Sequence, residues 1–284
     1  MRDFRKLRRL GLAKYRRVVS TGLVLLAMGS LAAVGYMSGG TIAAGAAYYY
    51  YTSTSTTTTT PPPMPTTLVL TPAAATNTVG TSHTVTATVT DQFGNPFQGV
   101  TVRFTVTGSV NTSGSCVTDA AGQCTFTYSG PSLPGADLIS AFADSNGNGM
   151  LDAGEPTATA TKAWILPTST PGQVTGGGQI VVGTDTISFG FTAQSSNGTL
   201  KGECTVIDHD TKRKIKCTDV TALVQSGNQA TIYGHATDNG AATTYVIHVA
   251  DNMDPGRGAD TFSIQTASGY SASGTLTGGN IQVH

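Results

Sequence analysis

The segment "SHTVTATVTDQFGNPFQGVTVRFTVTG", residues 82–108, decides the fold because apolar and polar side chains alternate on both sides of a short turn. A period of two places the apolar side chains on one face of a β-strand. The central "DQFGNP" contains Asp, Gly, Asn and Pro, which favour turns. The apolar faces consist of Val85, Ala87 and Val89 before the turn, and of Val100, Val102, Phe104 and Val106 after it. The segment therefore predicts two strands, each with one buried face.

Similar short runs flank this segment. "TLVLTPA" precedes it, and "GQCTFTYSG", "ADLISAFAD" and "TATATKAWI" follow it. About seven strands in about a hundred residues, separated by turn signals, are typical of an immunoglobulin-like β-sandwich. Charged residues make up only 11% of the chain. We expect an all-β chain, with the sandwich at residues 67–166.

Two stretches of this region resemble a known family. "LTPAAATNTVGTSHTVTATVTDQFGNPFQGVTVRFTVTG" and "TDAAGQCTFTYSG" are similar to the bacterial Ig-like domains of group 1, the Big-1 family of invasin- and intimin-type surface proteins. The resemblance implies a rigid, non-enzymatic spacer or adhesion module on a bacterial surface. It implies no catalytic residues.

One segment departs from the strand pattern: "DSNGNGMLDAGE", residues 144–155, has the spacing of a twelve-residue EF-hand calcium loop. Its flanking segments alternate as strands do, so the loop would join two strands. Gly149 would permit the sharp turn at position 6. The oxygen ligands would come from the side chains of Asp144, Asn146, Asn148, Asp152 and Glu155, and from the backbone carbonyl of Met150.

Calcium is the cofactor that this pattern predicts. With only three carboxylates, the affinity expected is that of extracellular modules, ~10⁻⁴ to 10⁻³ M. Asn, Gly and Asp also gather in ordinary exposed turns. The sequence leaves both interpretations open.

The four cysteines predict two local disulfides. Cys116 and Cys124 bracket the turn "VTDAAGQ", and Cys204 and Cys217 bracket a predicted hairpin with "HDTK" as its loop. An even number of cysteines in an exported chain favours disulfides. Zinc is the rival interpretation, but the pairs lack the CxxC spacing of zinc sites.

After a linker at residues 167–172, residues 173–284 contain eight or nine further strand patterns, which predict a second antiparallel β domain, either a sandwich or a barrel. Its first and last strands begin alike, "VTGGGQIVV" and "LTGGNIQVH", which suggests that the ends of its sheet meet. "VTGGGQI", "VIDHDTKRKIKCTDVTAL" and "GYSASGTLTGGNIQVH" resemble the post-COAP-1 type of bacterial β domain. This resemblance implies an extracellular location and no known activity.

No catalytic constellation is recognisable in the second domain. If Asn239-Gly240 forms a two-residue hairpin turn, His235 lies opposite Thr244 and His248 opposite Thr231. The two histidines would then stand about 13 Å apart, too far for one metal ion. We find no GxSxG, HExxH or nucleotide-binding pattern. The chain is therefore predicted not to be an enzyme. The loop "DNMDPGRGADT" is interpreted as an acidic surface loop, with a second calcium site as the alternative, although it matches no known calcium pattern.

A carbohydrate-binding module is the alternative function, because such modules need exposed aromatic platforms. Trp164, the only tryptophan, is expected to cover the end of the sandwich. Tyr233, Tyr245 and Tyr270 are the candidates in the second domain, and alternation places Tyr233 and Tyr245 on opposite faces.

The N-terminal residues 1–47 are predicted to be an export signal or signal-anchor containing one apolar helix. Eight of the sixteen basic residues lie within the first seventeen positions, and residues 18–51 carry no charge. Cleavage after Ala46 and an uncleaved anchor both fit the pattern. Residues 48–66 are rich in Thr and Pro and predict an extended stalk.

The remaining charge excludes nucleic acid as a partner of the mature part. Beyond residue 17 there are eight basic and fifteen acidic residues. We expect an extracellular or cell-surface protein whose partner is a surface or matrix protein or a glycan. If the leader is not cleaved, it would also contact the membrane.

Overall fold

The computed structural model describes residues 60–284 and, nearer the N-terminus, the backbone of β1 (Met37–Ser38) paired with β2 (Thr41–Ile42). The predicted export helix and the cleavage position lie outside the described residues. Within residues 60–284 every regular element is a β-strand, which confirms the all-β prediction. The described residues include no helix with the length and apolar character needed to span a membrane.

The first domain is a sandwich of two sheets. β3, β5 and β8 form a three-stranded sheet, and the five-stranded sheet has the order β4-β10-β9-β6-β7. β4 pairs with β10 in parallel, whereas the other pairs are antiparallel. The strands are β3 (Pro65–Thr71), β4 (Ala74–Thr78), β5 (Ser82–Asp91), β6 (Thr101–Gly108), β7 (Thr112–Val117), β8 (Gln123–Ser129), β9 (Gly135–Asp144) and β10 (Thr157–Ile165).

The sandwich core follows the predicted alternation. Val85, Ala87 and Val89 on β5 are fully buried, as is Val102 on β6. Burial of such faces contributes about 25 cal/mol per Å² of apolar surface removed from water, and this drives the two sheets together.

Two strands of the sandwich were not predicted. The segment "TLVLTPA" was expected to form one strand, but the chain changes sheets after Thr71 and continues as β4. Pro72 has no backbone N–H to donate to a sheet, which fits a break at this point. β7 was missed because its sequence "TSGSCV" has few apolar residues and no strong alternation.

The second domain contains ten strands in one sheet. Its order is β19-β18-β17-β16-β14-β13-β12-β11-β20, and β15 pairs separately with β16. The strands are β11 (Gly172–Val182), β12 (Asp185–Ser196), β13 (Thr199–Asp208), β14 (Lys214–Cys217), β15 (Ala222–Ser226), β16 (Gln229–Asp238), β17 (Ala241–Ala250), β18 (Thr261–Thr266), β19 (Ser271–Thr275) and β20 (Gly278–Val283).

The first and last strands of this domain pair with each other, as their similar sequences suggested. Gly178 lies opposite Gly279 in the β11–β20 ladder. A Cβ atom on Gly178 would come within 2.3 Å of the Gly278 carbonyl oxygen, and one on Gly279 within 2.1 Å of the Gly177 carbonyl oxygen. The repeated "GG" in both strands is therefore explained by the close approach of their backbones.

Candidate functional site

The predicted calcium loop joins β9 to β10 at one end of the sandwich. Asp144 is the last residue of β9 and pairs with Thr101, the first residue of β6. The Ala143 N–H donates to the Pro156 carbonyl over 3.0 Å, which closes the base of the loop. The neighbouring strands therefore hold both ends of the loop.

Asp144 is the buried anchor of this loop. Its Oδ2 accepts hydrogen bonds from Nε of Arg103 at 2.7 Å and from the N–H of Gly149 at 3.0 Å. The hydrogen bond from Arg103 is the main cause that lowers the pKa of the Asp144 carboxyl. Its other oxygen, Oδ1, is buried and has no hydrogen-bond partner among residues 60–284. Burial of a carboxylate oxygen without a partner destabilises the folded state. A cation bound to this oxygen would offset that free-energy cost.

The outer half of the loop is held by its own amides. The side-chain Nδ2 groups of Asn146 and Asn148 donate to Oδ2 of Asp152 at 2.7 and 2.6 Å. Glu155 Oε1 accepts from the backbone N–H of Ser145 at 2.7 Å, and Oε2 accepts from that of Asp152 at 3.1 Å. The partial positive charges of these amide groups stabilise the carboxylates of Asp152 and Glu155. A bound cation would stabilise the same carboxylates with its full charge.

The structure therefore brings the predicted ligands into one short loop, but it does not gather their carboxylates. Within the described ranges, no three His, Cys, Asp or Glu side chains are close enough together to hold a metal ion. Met150, predicted to contribute only its carbonyl, has a side chain that is 69% exposed. The oxygen atoms of the carboxylates, the side-chain amides and the backbone carbonyl are of the kind that calcium prefers. Asp144 Oδ1 is the ligand atom that is free to bind an ion.

Both predicted disulfides are present. Cys116 and Cys124 are linked with their Cα atoms 5.8 Å apart, and Cys204 and Cys217 with theirs 4.8 Å apart. The first bond joins β7 to β8 and so connects the two sheets of the sandwich. The second closes the predicted hairpin, in which Val206 lies opposite Ile215.

Sequence reasoning missed a buried polar cluster at the other end of the sandwich. Its centre is Asp137, which accepts hydrogen bonds from the Tyr128 hydroxyl at 3.1 Å and the Val110 N–H at 2.8 Å. Lys162 is only 1% exposed, and burial lowers the pKa of its amine. Burial also lowers the pKa of His83, and the nearby charge of Lys162 lowers it further. The single Lys in the alternating strand "TATATKAWI" is the sequence feature that could have indicated this cluster.

The junction between the two domains is apolar and hydrogen-bonded. Trp164 covers the end of the sandwich as predicted and is 2% exposed. The apolar cluster of the sandwich continues into Ala222, Tyr233 and Val246 of the second domain. In the linker, the Thr170 N–H donates to the Leu223 carbonyl over 2.9 Å.

The proposed aromatic platforms for carbohydrate are not on the surface. Tyr233 and Tyr270 are each 7% exposed, and Tyr245 is 1% exposed. Tyr233 faces the sandwich and Tyr245 the interior of the second domain, so they lie on opposite faces as predicted. Their burial means that none of them can stack on a sugar ring, so this part of the prediction is wrong.

The histidines of the second domain lie in separate environments. The Asn239-Gly240 turn forms, and His235 lies opposite Thr244 and His248 opposite Thr231, as predicted. His235 Nδ1 is 2.8 Å from an oxygen of Asp219, whereas His248 Nδ1 is 3.0 Å from the Thr231 hydroxyl.

The acidic loop at residues 251–261 is tied to the domain by Asp260. This aspartate is fully buried, and its carboxylate accepts hydrogen bonds from the backbone N–H groups of Asn252, Met253 and Ile281 at 2.9, 3.2 and 2.9 Å. At least one acid of this loop therefore has a structural role.

The architecture defines an immunoglobulin-like β domain followed by a second β domain. Residues 65–150 match the family model of the bacterial Ig-like domain (group 1). No curated protein matches the chain. The family match covers β3 to β9 and the first half of the loop at residues 144–155, and leaves β10 and the second domain unassigned.

Solved structures of surface-layer proteins show weak similarity. Domains 5–6 of the S-layer protein SbsC give a TM-score of 0.25 at 14% identity, covering 75% of this chain and 98% of that one. Domains 1–6 of the surface layer protein SbsC give 0.27 at 15% identity, with 78% and 26% covered. Domains 4–9 give 0.26 at 14% identity, with 75% and 31% covered. At these TM-scores the similarity carries no argument about function.

Proposed function

We propose that the chain is an exported structural or adhesion module of a bacterial cell surface, in which the two β domains act as one stiff, non-enzymatic unit. The match to a bacterial Ig-like family supports the class of protein. One disulfide in each domain fits an oxidising compartment outside the cytosol. The basic and apolar N-terminal sequence supports export.

The junction carries the proposal of stiffness. Domains joined only by a free linker are expected to move relative to each other. Here Ser169 and Thr170 of the linker accept hydrogen bonds through their hydroxyls from the backbone of β15, at 3.2 and 2.8 Å. Together with the shared apolar cluster, these bonds would hold the second domain at a fixed position beyond the sandwich.

Calcium at residues 144–155 is the second part of the proposal. The support is the buried, unpartnered Oδ1 of Asp144 beside a loop of EF-hand spacing. An ion bound there would link Asp144 at the end of β9 to Glu155 just before β10, and so stiffen that end of the sandwich.

Calorimetric titration of the purified chain with calcium tests the second part. We expect saturable binding that is lost in Asp144→Ala and Glu155→Ala, together with a higher Tm of the wild type at millimolar calcium. Thr159→Ala, on the exposed face of β10, is the matched control and should bind normally. If calcium produces neither binding heat nor a Tm shift, the loop is an ordinary turn that does not bind calcium.

Protease treatment of intact cells of the native host tests the first part. We expect the two domains to be cleaved or released from outside, and the mass of the product to reveal whether residues 1–46 are removed. Protection of the chain until the cells are lysed would contradict surface exposure. A cell-surface or matrix protein, or a glycan, is the proposed partner.

A further inference from the structure

Arg103 is the basic side chain that contacts the calcium loop. It lies on β6, and its Nε donates to Oδ2 of Asp144 over 2.7 Å. Its guanidinium also lies against Gly149, since a Cβ on that glycine would be 3.3 Å from an Arg103 nitrogen. The other basic residue between positions 60 and 166 is Lys162, which is buried in the core.

The loop and Arg103 together carry a net negative charge. Asp144, Asp152 and Glu155 contribute three negative charges, and Arg103 contributes one positive charge. Two negative charges therefore remain, which one divalent cation neutralises. Without Arg103, the same loop would match a trivalent cation.

We propose that Arg103 shifts the charge selectivity of this loop, by cancelling one carboxylate charge so that the affinity for a trivalent ion is lowered more than the affinity for a divalent ion. This inference rests on the proposed function of the loop as a calcium site. Arg103 does not compete for a ligand atom, because it and the Gly149 N–H both use Oδ2 of Asp144 and leave Oδ1 free. It acts through its charge.

The magnitude follows from Coulomb's law. The repulsion between the Arg103 charge and a bound ion is proportional to the charge of the ion. Removing this repulsion should therefore change the logarithm of the affinity for a trivalent ion one and a half times as much as that for calcium. At a separation of about 6 Å in water-like surroundings, the effect is about tenfold for calcium and about thirtyfold for terbium(III).

The test is titration of the wild type, Arg103→Gln and Arg103→Lys with calcium and with terbium(III). We expect Arg103→Gln to bind calcium about tenfold and terbium about thirtyfold more tightly than the wild type, and Arg103→Lys to stay within about twofold of it. The conservative lysine variant separates charge from geometry. The Tm of each variant in the presence of a chelator verifies that it folds.

Equal changes for both ions in Arg103→Gln, or equal effects of the glutamine and lysine substitutions, would overturn the inference while leaving the calcium site intact. A wild type that binds neither ion would overturn the calcium site itself and the inference with it. The two failures are therefore distinguishable.

Discussion

The indole nitrogen of Trp164 donates a hydrogen bond of 2.6 Å to Oδ2 of Asp137 inside the sandwich. Tyr128 donates to the same oxygen, and the ammonium of Lys162 lies 4.5 Å from the centre of the Trp164 ring. One carboxylate thus holds β8, β9 and β10 together at the end of the sandwich that faces the second domain. The tryptophan closes this end through a polar contact as well as through its apolar area.

Replacing Asp137 by Asn is expected to destabilise the protein strongly. The variant keeps the size of the side chain but removes the negative charge that faces the buried Lys162. It also weakens the hydrogen bonds that Trp164 and Tyr128 donate to this carboxylate. Loss of such buried hydrogen bonds to a charged group costs about 1–3 kcal/mol. The free energy of unfolding in urea measures the effect.

Asp152→Asn, in the exposed part of the loop at residues 144–155, is the control for Asp137→Asn and should change the free energy of unfolding in chelator by less than about 0.5 kcal/mol. If Asp137→Asn and Asp152→Asn cost the same, the buried cluster does not stabilise the sandwich.

His83 is expected to make the sandwich less stable in mild acid. Its pKa is lowered in the folded state by burial and by Lys162, so the unfolded chain binds the proton more tightly. The contribution of His83 is present above the unfolded pKa of about 6.5 and is lost as the pH falls through the lower folded value. His83→Gln should therefore flatten the fall in unfolding free energy between about pH 7 and pH 5.

His248→Gln provides the comparison for His83, because His248 lies on the exposed face of β17 in the second domain. Each substitution should remove only its own share of the pH dependence. An unchanged slope in His83→Gln would mean that His83 is not desolvated in solution.

Strands and tight turns could be predicted from the sequence, because each depends on residues that are close together in the chain. Alternation located β5 and β6, and Asn239-Gly240 located a hairpin because both residues adopt positive φ, 47° and 92°. Long-range packing was not predictable in this way. Lys162 and Asp137 are charged residues that propensity assigns to the surface, and only the meeting of two sheets buries them.

The loop at residues 144–155 illustrates the same division. Spacing gave the candidate ligands, because an EF-hand loop is a local motif. The contact between Arg103 and Asp144 joins residues 41 positions apart and depends on the neighbouring strands β6 and β9. The burial of Tyr233 does not follow from its strand pattern, because its apolar partners lie in a separate domain.

Removal of the disulfide between the two sheets is expected to reduce stability without changing the fold. The double substitution Cys116→Ser and Cys124→Ser should cost about 2–4 kcal/mol, because the bond restricts the unfolded chain. Thermal unfolding of this variant and of Cys204→Ser with Cys217→Ser measures each bond separately.

Intact mass after alkylation, with and without reduction, verifies that each disulfide variant retains one bond. Two free thiols in the unreduced wild type would contradict the pairing.

Tyr233 is expected to couple the two domains. It lies between Ala222 and Val246 on neighbouring strands, and all three belong to the apolar cluster of the sandwich. Tyr233→Ala should weaken this contact, since truncation of a large buried side chain costs about 3–5 kcal/mol. We expect the wild type to unfold in one calorimetric transition and Tyr233→Ala in two, with faster protease cleavage in residues 166–172.

Tyr270→Ala is the matched control for Tyr233, because Tyr270 is equally exposed, at 7%, but packs inside the second domain. It should lower the stability of the second domain and leave the linker protected while that domain remains folded. If Tyr233→Ala keeps a single transition and a protected linker, the contact does not couple the domains. The stiffness of the unit would then depend on the hydrogen bonds of Ser169 and Thr170 alone.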